Sequence, residues 1–243
     1  MTRTAAALLI GNEILTGKVQ ESNLEVLAKE LFRLGIEMQR VVVCQDKVEV
    51  IADEVARLSA GHTYVFTSGG VGPTHDDVTI KAVARAFDVP VVRSEHLECR
   101  IRELVGDRLN DGHLRMADVP DTAEMVEGGE FDWPTILMRN VYVLPGLPGI
   151  FRAKLPILRD HLGATRPFLS RVVYTTLRET DIAALLSEIE QAFLQVDVGS
   201  YPVLDQKYRV RVTFDGKDAV AIDEAVKRFV ASVPADRLYR PEE

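Results

Sequence analysis

The sequence predicts an α/β protein with a doubly wound parallel sheet, followed by a small α+β domain. Two patterns carry this reading. From the start, apolar strand-like runs alternate with amphipathic helical stretches, and after about residue 166 the order changes to β-α-β-β-α. The 243 residues suit one large domain with a small one, drawn here as 1–166 and 170–243. With 47% hydrophobic and 27% charged side chains, a disordered or fibrous chain is excluded.

The elements follow in order. Thr4–Gly11 is a continuous apolar run ending in glycine, as expected of a strand covered on both faces. Ser22 with Glu25 is a capping-box pattern; Leu24, Leu27, Leu31 and Leu34 share a helical face, and Gly35 supplies the stop. Ile36–Cys44 is the next strand. Asp46 is placed to cap a helix with Glu49 at its third position, carrying the Val50, Ile51, Val55 and Leu58 stripe to Gly61. Tyr64–Thr67 is a short third strand; helices are expected over 76–87 and 95–109. Residues 110–134 read as an excursion over the sheet. Thr135–Leu144 returns as strand, and Ile150–His161 closes the domain as a helix that Pro156 is expected to kink. The tail reads as strand 170–177, helix 180–193, strands 196–203 and 208–214, and helix 219–233. Its expected core is Val173, Ile182, Leu185, Leu186, Ile189, Val210, Val212 and Val226.

Charge and cysteine content narrow the function. Lys and Arg number 29 against 37 Asp and Glu, a net charge of −8, which argues against general binding to nucleic acid or anionic membrane. Residues 171–243 carry 10 basic and 13 acidic side chains, so no basic module is concealed in the tail. No apolar run approaches the roughly 18 residues of a membrane span, and no basic leader precedes Ala5–Ile10. A cytoplasmic location is expected. Cys44 and Cys99 lie in unrelated segments and are expected to be buried free thiols.

Two loops leave the carboxyl ends of predicted parallel strands, where open α/β sheets gather ligands. Gly11-Asn12-Glu13-Ile14-Leu15-Thr16-Gly17, running on to Ser22-Asn23, reads either as a phosphate or sugar contact or as a plain turn with a helix cap. The second loop, Thr67-Ser68-Gly69-Gly70-Val71-Gly72-Pro73-Thr74-His75-Asp76-Asp77-Val78-Thr79, is more specific. Its glycines let successive N–H groups curl round an anion ahead of a helix N-terminus. It is not a P-loop, and a nucleophilic serine is rejected because Gly-x-Ser-x-Gly is absent. Asp76 and Asp77 read as helix-dipole complements or, beside a phosphate, as ligands of an intervening cation; Asp46 is a further carboxylate or only a cap. His75 reads as a base or a surface group, and Phe131 and Trp133 as rings that stack a nucleotide base or as plain packing.

Together these loops, with Asn140-Val141-Tyr142-Val143-Leu144-Pro145-Gly146-Leu147-Pro148, resemble the molybdopterin-binding (MoCF) superfamily. Within it they are most similar to the domain shared by CinA competence/damage-inducible proteins and the amino-terminal part of animal FAD synthases. The resemblance covers about the first 165 residues. It implies a three-layer, mostly parallel α/β fold and metal-dependent hydrolysis of a nucleotide diphosphate linkage such as that of ADP-ribose or FAD. It also implies a site: Gly69, Gly70, Gly72 and Thr74 match the phosphate loop, Asp77 the acidic residue before Val-Thr, and Asp46 the acidic position after the second strand. Asn12 departs from the pattern, standing where Gly-Asp-Glu is usual. The tail resembles the small KH-like module beside this domain, without a basic Gly-x-x-Gly loop, so a packing or dimer-forming role is expected.

The leading expectation is therefore a dinucleotide or nucleotide-sugar pyrophosphatase. Glu13, Asp76 and Asp77 are its catalytic and metal-holding residues. Gly11, Asn12, Ser22, Asn23, Asp46, Thr67, Ser68, Gly69, Gly70, Gly72, Thr74, Pro145 and Gly146 contact a nucleotide or pterin. The expected cofactor is a divalent cation, Mg²⁺, Mn²⁺ or Co²⁺, with K⁺ as a candidate addition, and a homo-oligomer is expected from the resemblance. The competing readings are a molybdopterin-binding or adenylyl-transfer protein and a catalytically silent interaction protein.

Overall fold

A computed structural model describes residues 3–128, 133–204 and 207–239. The chain divides into two compact units, residues 1–165 and 166–243. In the first, β1 (Thr4–Ile10), the helical turn α1 (Asn12–Leu15), α2 (Asn23–Arg33), β2 (Glu37–Cys44), α3 (Val48–Gly61), β3 (Tyr64–Ser68) and α4 (Thr79–Ala86) follow in the predicted alternation. After these come β4 (Val91–Arg93), α5 (Glu95–Val105), α6 (Asp111–Arg115), β5 (Asp118–Pro120), β6 (Glu124–Val126), β7 (Thr135–Met138), β8 (Val141–Leu144) and α7 (Pro148–Leu162).

The main sheet has the order β2-β1-β3-β8-β7-β6, with β2, β1, β3 and β8 parallel and β7 pairing antiparallel with both β8 and β6. Ala6, Leu8 and Ile10 of β1 join a core with α3 and α4, whereas Ala5 and Ala7 join a second core with α2 and α7. Both faces of β1 are thus covered, which accounts for its unbroken apolar run and gives three layers. Because β2 lies on one side of β1 and β3 on the other, the strand order reverses between β1 and β3. The ends of those two strands flank the position where such sheets open a crevice.

Several local expectations change. Thr135–Leu144 is two antiparallel strands, because Arg139-Asn140 turns the chain back and pairs Met138 with Val141; Arg139 takes a φ of 55°. The helix expected from Asp76 begins at Thr79, so Asp76 and Asp77 belong to the turn before it and are not its first-turn dipole complements. Ser22 is the N-cap residue of α2 but makes no capping bond. The Glu21 carboxylate accepts from Asn23 N at 2.7 Å and Leu24 N at 3.0 Å instead. Asp46 does not cap α3, which starts after Lys47. Cys44 is buried, but Cys99 is exposed, because it lies on the face of α5 opposite the buried Leu97 and Ile101. Pro156 lies inside α7, which continues to Leu162. Phe131 lies outside the described residues.

The second unit contains β9 (Leu169–Thr175), α8 (Glu179–Ala192), β10 (Val196–Pro202), β11 (Val210–Gly216), α9 (Ala219–Ser232) and β12 (Leu238–Tyr239). Its antiparallel sheet runs β10-β11-β9-β12. Ile182, Ile189, Val210 and Val212 are buried there with Phe214 and Phe229, while Val173, Leu185, Leu186 and Val226 pack partly buried against them. The two-residue β12 was not evident from the sequence; it is too short to show an alternation. Among the described residues no helix is long and apolar enough to cross a membrane.

Asn140 ties the β7–β8 turn to the end of α3. Its Nδ2 donates to the carbonyls of Ser59 (3.0 Å) and His62 (2.9 Å), and its Oδ1 accepts from Ser59 Oγ at 2.6 Å. At roughly 1 kcal/mol net per bond, Asn140→Ala is expected to destabilise the first unit by about 2–3 kcal/mol, read as a lower denaturation midpoint in urea with an unchanged slope.

Candidate functional site

A cleft of about 980 Å³ opens at the strand-order reversal. One wall is the turn after β3. Gly69 and Gly70 have φ of 109° and 65°, the left-handed region that glycine enters without a side-chain penalty. A Cβ on Gly69 would overlap the carbonyl oxygen of Ile10, and one on Gly70 would overlap the Thr79 hydroxyl. Gly72 needs no positive φ; a Cβ there would lie 2.6 Å from Asp77 Oδ2.

Thr79, fully buried at the start of α4, closes the loop. Its hydroxyl donates to Gly69 O at 2.8 Å and its backbone N–H to Gly70 O at 3.0 Å. Asn23 joins the neighbouring loops: its Nδ2 donates to Ser68 Oγ at 3.0 Å and to Gly146 O at 2.8 Å. Ser68 Oγ in turn donates to Pro145 O at 3.4 Å. A Cβ on Gly146 would stand 3.2 Å from Gly69 Cα, so with any other residue the loops after β3 and β8 would have to part slightly.

Of the residues singled out in the sequence, Glu13, Ser22, Asn23, Ser68, Gly69, Gly70, Gly72, Thr74, Asp77, Pro145 and Gly146 line this one cleft. Gly11, Asn12, Asp46, Thr67 and Asp76 lie outside its lining. Asp46 accepts from Asn12 N at 2.7 Å, fixing the first loop through its backbone. Thr67 is fully buried in β3 and its hydroxyl has no hydrogen-bond partner.

The two aspartates of the turn have different roles. Asp77 Oδ2 accepts from Thr74 N at 2.8 Å and Thr74 Oγ1 at 2.5 Å. Asp76 Oδ1 lies 2.6 Å from the same hydroxyl; that bond first, then its own backbone N–H, holds the Asp76 carboxyl below the usual carboxylate range. His75 lies 3.9 Å from Asp76 and is otherwise in solvent. Among the described residues no three His, Cys, Asp or Glu side chains converge as a metal cage.

Sequence reasoning missed the basic side chains of the cleft, Lys81, Arg115 and Lys154, and the apolar residues contributed by α5 and by Met116 just after α6. Lys154 is buried on α7 and donates to the carbonyls of Trp133 and Pro134, the latter at 3.1 Å. Burial pushes its ammonium down to about 8. Trp133, half-buried against the sheet core, lines the same cleft.

Comparison with known proteins assigns the scaffold. Residues 6–163 match the family model described as "Probable molybdopterin binding domain", and the chain belongs to that family. Residues 167–242 match the model of the FAD synthase middle domain. An Archaeoglobus fulgidus protein is 30% identical over 90% of this chain and 93% of its own length. A "Probable FAD synthase" of Caenorhabditis briggsae is 31% identical over 93% of this chain but only 48% of its own, so the chain spans about half of that relative. The crystal structure of a Thermoplasma acidophilum protein, described as CinA with unknown function, aligns with a TM-score of 0.61 at 25% identity. That alignment covers 67% of this chain and 99% of the other.

Two outcomes follow from the geometry. Thr79→Val keeps the shape but leaves Gly69 O without its donor; about 1–3 kcal/mol of stability is expected to be lost, and Thr79→Ser is expected to recover most of it in the same urea titration. Lys154 has a native pKa of about 8 against an ordinary 10.5. Between those values the unfolded chain binds the extra proton, so stability relative to Lys154→Met should rise with pH from about 8 to 10.5 and stay level below it. Denaturation at stepped pH measures the difference.

Proposed function

We propose that the cleft binds a small phosphorylated heterocycle, a nucleotide or a pterin, and hydrolyses a diphosphate linkage in a nucleotide ligand with the help of a divalent cation. The observation that carries the reading is the Gly69–Gly70 turn, held by Thr79 at the strand-order reversal. Such turns present backbone N–H groups to phosphate oxygens. Lys81 and Arg115, which line the same cleft, offset the negative charge of the phosphates.

The donor set fits a hard cation in a limited way. Glu13 and Asp77 line the cleft from separate loops and offer carboxylate oxygens. Two carboxylates without a full cage match the way Mg²⁺-like ions are held jointly by protein and substrate phosphates. Such an ion supplies charge neutralisation at phosphorus and acidifies its own water. The chain's residues do the rest: the glycine turn orients the diphosphate, Thr74 fixes the Asp77 carboxylate through two hydrogen bonds, and Asn23 keeps the adjoining loop in register.

The pterin reading draws on the description of the family, and ligand titration separates the two. Calorimetry with ADP-ribose, FAD and a pterin, followed by product analysis in Mg²⁺, Mn²⁺ or Co²⁺, is the test. Binding and cleavage of the dinucleotides support the hydrolase; tight pterin binding without cleavage replaces it with a binding protein. Asp77→Asn preserves the shape of the turn and is expected to lower metal-dependent turnover at least about 100-fold, with a stability loss of only about 1 kcal/mol. Full turnover in a normally folded Asp77→Asn protein removes Asp77 from the metal site.

A further inference from the structure

The cleft has a second, chemically different wall that the phosphate-binding reading does not use. It comes from the excursion between α4 and β6. On α5 the apolar positions Leu97, Ile101, Leu104 and Val105 form one helical stripe. The first two are buried in the sheet core, but Leu104 is 63% exposed. Met116, just after α6, is 37% exposed and Val91 on β4 is 38% exposed. All three line the cleft together with Ile101 and Val105. An apolar stripe that runs off the core and ends over a cavity leaves hydrophobic surface in water with no gain to folding.

This wall and the glycine turn belong to one site. A Cβ on Gly112 in α6 would lie 3.8 Å from Pro73, so α6 passes close to the turn. A cleft of about 980 Å³ is at the upper end of the range for a drug-sized ligand, leaving space beyond a diphosphate. The group occupying that space is continuous with the phosphates and meets Leu104, Met116 and Val91, an apolar surface on which a hydroxyl-rich sugar would leave polar groups unpaired.

We propose that Leu104 and Met116 are specificity-determining residues: their wall takes a planar, apolar heterocyclic ring of the ligand whose phosphates lie on the Gly69–Gly72 turn. This rests on the phosphate-binding reading of that turn. The wall therefore acts on ligand affinity and choice, leaving the chemistry at phosphorus to the other side of the cleft.

The experiment is calorimetry on the full chain with Ca²⁺ as the only divalent cation, using inorganic pyrophosphate, ADP-ribose and FAD as probes. Leu104→Ser and Met116→Ser are the variants; Leu104 is largely exposed, so the first is expected to fold normally. In wild type, FAD should bind at least about 10-fold tighter than pyrophosphate and tighter than ADP-ribose, as burying one or two large apolar groups predicts. Each variant should lose about 5-fold or more of the FAD affinity while pyrophosphate affinity is unchanged. Equal affinity for all three probes, or an FAD preference that survives in both variants, overturns the assignment of the wall while the turn's reading stands. If none of the probes binds, the phosphate-binding reading fails and takes this inference with it. Light scattering controls for the other occupant: a concentration-dependent dimer abolished by Leu104→Ser would make the wall a self-association surface and overturn the proposal.

Discussion

The close approach of three loop ends at the carboxyl edge of the sheet is the constraint on which the first unit depends. Gly69 lies against the Ile10 carbonyl, Gly146 lies against Gly69, and Asn23 holds Ser68 and Gly146 from a third side. No residue larger than glycine fits at the two contact points without displacing backbone. The reversal of strand order between β1 and β3 separates the connections that leave those strands, and the cleft forms in the space between them. Thr79 then makes the turn a fixed object by holding both of its first two carbonyls, with a side chain at one and a backbone N–H at the other.

Charge in and around this cleft is mixed, with Lys154 in the lining and Asp76 and Cys44 outside it. Lys154 is buried with two backbone carbonyls as acceptors, and desolvation weakens its hold on the proton. Asp76 is in solvent and is kept ionised by the Thr74 hydroxyl. Cys44, at the end of β2, has its thiol pushed up to about 11, by burial first and then by Glu54 and Asp46. Burial and the two carboxylates thus disfavour its thiolate form. The groups that the cleft offers are backbone N–H groups, carboxylate oxygens and basic side chains.

Much of the sheet was legible in the sequence because its strands are covered on both faces and its helices carry one apolar stripe, patterns that survive without tertiary information. The β7–β8 turn was not legible. Arg139-Asn140 is not among the usual tight-turn pairs, and the unbroken apolar character on either side disguised the reversal. The Asp76-Asp77 pair was placed on a helix because acidic residues favour a first helical turn, but the carboxylates found the Thr74 hydroxyl and backbone first. The site's glycines and Asn23 were visible as motif residues, since backbone approach demands particular residue types. Lys154, Leu104 and Met116 were not, because nothing local to a helical stripe shows which of its members reaches a cavity built by distant strands.

The position of Asn12 bears on how far the site departs from its family pattern. In the sequence, an amide in place of a carboxylate reads as a lost cleft charge and favours a silent protein. In the fold, Asn12 lies outside the lining of the cleft and contributes its backbone N–H to Asp46, a role that any residue but proline can fill. The carboxylates that do line the cleft beside the turn, Glu13 and Asp77, are both present, and Asp77 is held by two hydrogen bonds from Thr74. The substitution at Asn12 therefore removes no oxygen from the cleft wall. What the fold uses of Asn12 is backbone: its N–H on Asp46 and its carbonyl under Thr16 are the same whether the side chain is an amide or a carboxylate.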